Sequence, residues 1–416
     1  MKILLINTNR YTSPPVPPIG LEYLAAGLER AGHESRLLDL CFEADAAGVL
    51  AAAVDDFKPQ VAGVTIRNID TALCQNNVFF LDEIAEFVRL LESAGVPVIE
   101  GGAGFGFAPR AVLDYTGASW GVEGPGEAAL PRLLERLEQE KIPRGEIIDG
   151  WSCPPDPELS VSGRGRMVDY PKYLKNGGIA GFETQKGCFG ECTYCAERCR
   201  RVIFRKTERV VDEIRALAVR GVADFHLCDA EFNQELSFCH RFAGDLANEG
   251  LEIGWTLYLK AVPADQRLFE LLSASGAYLV TLSLPSGPDG LKRAGMMADA
   301  ARENGIRLAV DYLCGFPGQS PDQVRRDLDE LRTAEPDTVG LNCFIRLYPG
   351  LPLTRQILAD ESLRPGLTGS LTDNDSLLRP VFFSSITLEQ LTALVAGDPL
   401  FRIEGFDRKT NYERVK

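Results

Sequence analysis

Short apolar runs alternate along this chain with segments of helical spacing. KILLIN (2–7) is followed by LEYLAAGLERAG (21–32), which carries a three-to-four-residue rhythm and ends at a glycine. Then come SRLLDL (35–40), a helical stretch at 45–57, VAGVTI (61–66), a helix at 80–94, VPVIEGG (96–102), SWGVEG (119–124) and a last helix from about Glu127. Strands alternating with helices of this length predict βαβ units and a parallel sheet. Right-handed crossovers make residues 1–140 a doubly wound, Rossmann-like α/β domain. Ligands of such sheets sit at the carboxyl ends of the strands. Those ends hold Thr8, then Thr65, Arg67 and Asn68, then Gly101, Gly102 and Ala103, then Glu123 and Gly124. Glycine-rich ends let backbone approach a large flat ligand. The turn after the first strand, NRYTSPPVPPIG, has no G-x-G-x-x-G pattern, which argues against a nicotinamide dinucleotide.

Residues 141–178 are rich in Pro, Gly and Ser without a sustained period and are expected to form a linker. A second alternation starts at Ile179, with strands expected at 179–187, 223–229, 251–259, 277–284, 306–315 and 338–347 and helices between them. Six units fall short of the eight of a closed barrel. A six-unit partial (β/α)6 barrel, open on one side, is therefore expected over 179–355, with a loop, a short helix at 387–396 and a tail as an extension at 356–416.

At 416 residues, 45% hydrophobic and 25% charged, the chain has ordinary globular composition and room for more than one core. Its apolar runs are far shorter than the roughly 20 residues of a membrane span. MKILLIN runs straight into the first strand with no leader pattern, so a cytoplasmic protein away from membranes is expected. A net charge of −15 disfavours nucleic acid as a partner, although Arg198, Arg200, Arg201, Arg205 and Lys206 form a local basic stretch.

Most of the eleven cysteines are scattered; GCFGECTYC (187–195) is different. It places Cys188, Cys192 and Cys195 in nine positions, with Cys199 close behind, after the first strand of the second alternation. Barrel chemistry is located at that end of a strand. Structural zinc wants four ligands, usually as paired knuckles, and no second C-x2-C occurs. A redox C-x-x-C leaves Cys188 unexplained. Three soft thiolates suit an iron–sulfur cluster with one iron open to a ligand, and Tyr194 stands where its ring can pack on an adenine.

C-x3-C-x-(aromatic)-C at this place resembles the radical S-adenosylmethionine (SAM) superfamily. CDAEFN (228–233), GFPG (315–318) and YPGLPL (348–353) resemble further stations of its cobalamin-dependent branch. PPIGLEYLA (17–25), Gly101-Gly102 and EGPGE (123–127) resemble the cobalamin-binding domain fused to such barrels. The likeness covers about residues 1–355. D-x-H-x-x-G, which supplies a histidine to cobalt in other cobalamin proteins, is missing, and the first domain's one histidine, His33, is expected to face solvent. Arg67 stands where a side chain can reach the lower face of cobalt or form a salt bridge instead. Lys260 replaces the more frequent arginine.

The resemblance implies a cobalamin (B12)-dependent radical SAM methylase. Cys188, Cys192 and Cys195 would each hold one iron of a [4Fe–4S] cluster, with Cys199 outside it. Glu231 would accept from the SAM amino group and Lys260 would bind its carboxylate. Ser283 would lie by the ribose, and Tyr194, Gly315 and Phe316 by the adenine. Thr8, Thr65, Arg67, Asn68, Gly101, Gly102, Ala103, Glu123 and Gly124 would meet cobalamin. The implied reaction is C-methylation of an unactivated carbon through a 5′-deoxyadenosyl radical and methylcobalamin, with an electron donor such as ferredoxin or flavodoxin. The acceptor would be a protein or peptide, such as a glutamine of methyl-coenzyme M reductase, or a small molecule. A cobalamin-dependent cyclase or rearrangement enzyme shares these motifs. A non-catalytic cobalamin sensor would have no use for the cysteine loop, and a tRNA methylthiotransferase would need cluster cysteines in its N-terminal domain and a basic C-terminal RNA-binding domain.

Overall fold

The computed structural model describes residues 1–139, 142–159, 161, 163–285 and 288–406. The chain separates into two compact units: residues 1–71, 78–182 and 203–224, and residues 72–77, 183–202 and 225 onward.

In the first unit β1 (Lys2–Asn7), α1 (Ile19–Arg30), β2 (Glu34–Asp39), α2 (Ala46–Phe57), β3 (Val61–Thr65), α3 (Leu81–Ser93), β4 (Val98–Gly101), α4 (Pro109–Thr116), β5 (Trp120–Glu123), α5 (Ala129–Gln139) and β6 (Ile147–Asp149) follow one another. The strands form a parallel sheet in the order β2-β1-β3-β4-β5-β6. β1 lies between β2 and β3, with Leu5 opposite both Leu37 and Gly63. Its residues Ile3 to Ile6 have no exposed surface, as a strand covered on both faces requires. Ile3, Leu5, Leu21, Leu28, Ile99 and Leu130 share one core on one side of the sheet. Two elements escape the sequence pattern. α4 is eight residues long and buries only Val112, Leu113 and Thr116, and β6 is a three-residue edge strand inside the expected linker. That stretch also holds α6 (Tyr170–Lys175), and β7 (Ala180–Phe182) and α7 (Thr207–Ala218) follow within this unit.

The second unit contains β8 (Asp224–Leu227), α8 (Leu236–Asn248), β9 (Gly254–Leu259), α9 (Gln266–Ala274), β10 (Ala277–Pro285), α10 (Pro288–Glu303), β11 (Arg307–Leu313), α11 (Pro321–Ala334), β12 (Thr338–Asn342), α12 (Pro352–Ala359), α13 (Leu388–Val395) and β13 (Phe401–Ile403). Its strands are neighbours in the order β8-β9-β10-β11-β12-β13. β13 pairs Phe401 with Val339 beside β12, so part of the expected tail completes the sheet. The last residues of that tail, 407–416, lie outside the described residues. Burial alternates along the strands. Phe225, Leu227, Leu257, Leu259, Leu282, Leu284, Val310 and Tyr312 are buried, whereas His226, Tyr258, Ser283 and Asp311 between or beside them are only half-buried. One face is packed away and the other presents polar side chains, which is how a sheet lines a site.

Candidate functional site: a thiol loop beside a buried carboxyl

Residues 187–202 leave the two-residue strand Gln185–Lys186 as an irregular loop. Gly187 turns it at φ 85°, a conformation that favours glycine. Cys199 N–H donates to Gly190 O at 2.8 Å and Arg200 N–H to Cys188 O at 2.9 Å, which closes the loop on itself. The Cys188 sulfur is buried and accepts three N–H groups at 3.3 Å, from Gly190 N, Gln234 Nε2 and Lys260 Nζ. Burial pushes the Cys195 thiol up to about 11, and a bound metal ion would displace its proton. Among the described residues no three His, Cys, Asp or Glu side chains converge to hold a single ion. A cluster whose irons are each held by one thiolate asks for no such point, and the donor set fits it. Cys199 is exposed and at φ 55°.

The segment from Asp229 to Gln234 ties this loop to the sheet. Asp229 accepts from Thr184 N at 2.8 Å, from Gln185 N at 3.2 Å and from the Thr184 hydroxyl. Burial nevertheless raises its carboxyl to about 7. Gln185 Nε2 donates to Glu231 O at 2.7 Å and Phe232 O at 3.1 Å. Asn233, with no exposed surface, donates to Lys260 O at 2.9 Å and Pro263 O at 2.7 Å and accepts from Lys260 N at 2.9 Å. Gln234 accepts from Phe189 N at 3.1 Å.

Glu231 is held by its backbone carbonyl. Oε2 is buried and has no partner. Burial raises the group to about 7, offset in part by the Ser283 hydroxyl and the Lys260 ammonium. On β11, opposite Ser283 in register, Asp311 is raised to about 8 by burial and by Glu404 and Glu231, while Tyr258 hydrogen-bonds it. Tyr194 and Phe316 stack at 5.6 Å with their rings tilted by 57°. Gly315 N–H already donates to Gln319 Oε1 at 2.7 Å, and Gly315 O accepts from Ser385 N at 2.9 Å. What Gly315 and Phe316 present to a ligand is therefore chiefly a ring and peptide faces.

In the first unit a cavity of about 290 Å³ opens at the ends of β1 and β3, lined by Thr8, Asn9, Arg10, Arg67, Asn68 and Phe80. Thr8 Oγ1 donates to Thr65 O at 2.8 Å, joining those two strand ends. Arg67 is exposed and has no carboxylate partner among the described residues. With the Asn68 amide turned so that its oxygen faces the guanidinium, that oxygen accepts from Arg67 Nη1 at 3.1 Å. Gly102 lies at φ 101°, and a Cβ there would stand 2.7 Å from Ile66 O. A Cβ on Gly124 would meet the Trp151 indole nitrogen at 2.5 Å. Gly102 and Ala103 are exposed, whereas Gly101, Glu123 and Gly124 are half-buried at the same ends of β4 and β5. His33 is half-buried rather than solvent-facing, with Nδ1 3.1 Å from the terminal nitrogen.

Residues 10–134 match the model of the B12 binding domain. Tryptophan 2-C-methyltransferase of Streptomyces laurentii is 27% identical, over 85% of this chain and 74% of that protein. Cytidylyl-2-hydroxyethylphosphonate methyltransferase of Streptomyces wedmorensis is 23% identical, over 92% and 85% respectively. The structure of the radical S-adenosylmethionine methyltransferase TsrM from Kitasatospora setae, with cobalamin and a [4Fe–4S] cluster bound, superposes with a TM-score of 0.86 at 25% identity, over 96% of this chain and 92% of that one. The chain thus carries a B12 binding domain and is similar along most of its length to cobalamin-dependent radical SAM methyltransferases. The fold alone is shared with OxsB, at a TM-score of 0.70 and 13% identity.

Sequence reasoning about this chain singled out Glu231 in CDAEFN but passed over its neighbours Asp229, Asn233 and Gln234, and Gln185, which bonds Asp229 and the backbone of Glu231 and Phe232. A run of polar residues directly after a strand was the available signal. Only the fold shows which distant residues they bond. No helix among the described residues is long and apolar enough to cross a membrane.

Proposed function

We propose that this methyltransferase uses a [4Fe–4S] cluster, SAM and cobalamin to methylate a carbon of a small acceptor of the tryptophan kind. The observation that carries the reading is the pairing, in the second unit, of a thiol loop whose Cys188 sulfur takes three N–H donors with a buried carboxyl, Glu231, that has one oxygen unpartnered. Soft thiolates at Cys188, Cys192 and Cys195 suit the cluster, and an acceptor-only carboxylate suits the amino group of SAM. The similarity to tryptophan 2-C-methyltransferase and to TsrM, whose structure is also known with tryptophan and a SAM analogue bound, supports the acceptor class.

The cofactors supply radical generation and methyl transfer when bound; the protein binds and orients. Lys260 has three N–H groups, enough to serve both Cys188 and the SAM carboxylate. Ser283 stands for the ribose, and Tyr194, Phe316 and Gly315 flank the adenine. Residues 1–140 take the cobalamin, with Thr8, Thr65, Asn68, Gly101, Gly102, Ala103, Glu123 and Gly124 around it. Arg67, without a carboxylate partner among the described residues, would stand beside the cobalamin where other cobalamin proteins supply a histidine, and residues 179–355 would form the SAM barrel. The reducing electrons come from a carrier such as ferredoxin or flavodoxin.

The test is anaerobic reconstitution followed by turnover with methyl-labelled SAM. Label on a carbon of tryptophan or a close analogue is the expected result. Label on a protein side chain, such as a glutamine of methyl-coenzyme M reductase, would replace the small acceptor by a peptide. A rearranged product without label would sink the methylation reading and leave the cyclase.

A further inference from the structure

Cys188 is surrounded unlike an ordinary buried thiol. Two of its three donors are side chains from other elements: Gln234, just before α8, and Lys260, just after β9. The two also meet each other, Lys260 Nζ lying 3.4 Å from Gln234 Oε1. Gln234 spends its remaining bonds on the loop, accepting from Phe189 N at 3.1 Å and donating to Glu231 O at 3.2 Å. Asn233 holds the main chain of Lys260 from both sides, so the ammonium reaches the sulfur from a fixed base.

We infer that Gln234 and Lys260 are positioning residues that set the reduction potential of the cluster through N–H···S bonds to Cys188. The inference rests on the reading of Cys188 as a cluster ligand. Hydrogen bonds to ligand sulfur are one of the means by which a protein adjusts such potentials. The sign follows from electrostatics. Reduction adds a negative charge to the cluster, and a cation or an N–H dipole at the sulfur stabilises the reduced form more than the oxidised one. Both side chains therefore raise the midpoint. They act on the ligand that one face of the loop buries, at the point where the segment carrying Glu231 meets it.

The experiment compares anaerobically reconstituted full-length protein with Gln234→Met, Lys260→Met and Lys260→Arg at matched iron and sulfide content. Midpoints are read by redox titration monitored by electron paramagnetic resonance, without SAM. Gln234→Met and Lys260→Met are expected to titrate at more negative potentials than the parent, and Lys260→Arg, which keeps charge and donors, close to it. Should Gln234→Met load no cluster, Gln234→Glu keeps the acceptor for Phe189 N–H and takes its place with the same expected direction. Midpoints equal to the parent's in the Gln234 and Lys260→Met proteins overturn the inference alone. A Cys188→Ala protein that retains an unchanged cluster overturns the ligand assignment and the inference together.

Discussion

Glu100 lies on β4 with no exposed surface, and neither of its carboxyl oxygens makes a hydrogen bond of normal geometry. Desolvation raises it to about 8, and the Thr116 hydroxyl acts the other way. A carboxyl whose folded pKa is raised destabilises the fold above its unfolded value, because the unfolded chain ionises first. The parent protein should therefore lose stability as pH rises from about 4.5 towards 8 and level off beyond. Glu100→Gln removes this dependence and is expected to stabilise the protein at pH 7 by roughly 3 kcal/mol in urea unfolding, a difference that shrinks towards pH 5. A variant with the parent's pH profile would show that the carboxyl finds a partner. The cysteines make a second residue-scale prediction. Alanine at Cys188, Cys192 or Cys195 should abolish the cluster's visible absorption after reconstitution, while Cys199→Ala, at an exposed thiol, should leave iron content unchanged.

At the scale of elements, the turn after β8 joins what the strands leave apart. Asn233 satisfies three backbone groups around Lys260 and Pro263 in a site without exposed surface. Asn233→Ala leaves them unpaired and should destabilise the second unit by on the order of 3 kcal/mol. Hydrogen exchange should localise the loosening to residues 229–234 and 260–263. Protection lost evenly across the chain would contradict a local role. The strands themselves were legible because KILLIN, VAGVTI and their counterparts are continuous apolar runs, which only a doubly covered sheet buries. α4, β6 and β13 were not legible, since three to eight residues carry too little periodicity to stand out.

For the whole molecule, the proposed placement of cobalamin with the first unit and of the cluster with the second implies that their functions can be separated. Protein reconstituted with iron and sulfide but no cobalamin is expected to bind SAM, seen as a changed paramagnetic spectrum of the reduced cluster. It should transfer no methyl label to tryptophan, and added cobalamin should restore transfer. Label transfer without cobalamin would contradict the proposed role of the first unit. Arg67 carries the matching prediction there: Arg67→Ala should alter the absorption spectrum of bound cobalamin while leaving iron content intact.

Spacing and order along the chain were enough to set out the alternating α/β architecture, the three-thiol loop and the strand ends where ligands sit. These depend on local rules: apolar runs make strands, glycine permits tight turns, and thiols three and four positions apart share a loop. The use of each side chain came from the fold. Nothing in GCFGECTYC says that Cys188 takes two side-chain donors lying 46 and 72 positions away. Nor does CDAEFN reveal that Asn233 and Gln234 hold the framework while the Glu231 carboxyl keeps one oxygen free. Hydrogen bonds between distant residues are set by how strands stack in register. The stacking is decided by the burial of both cores, which no short stretch of sequence contains.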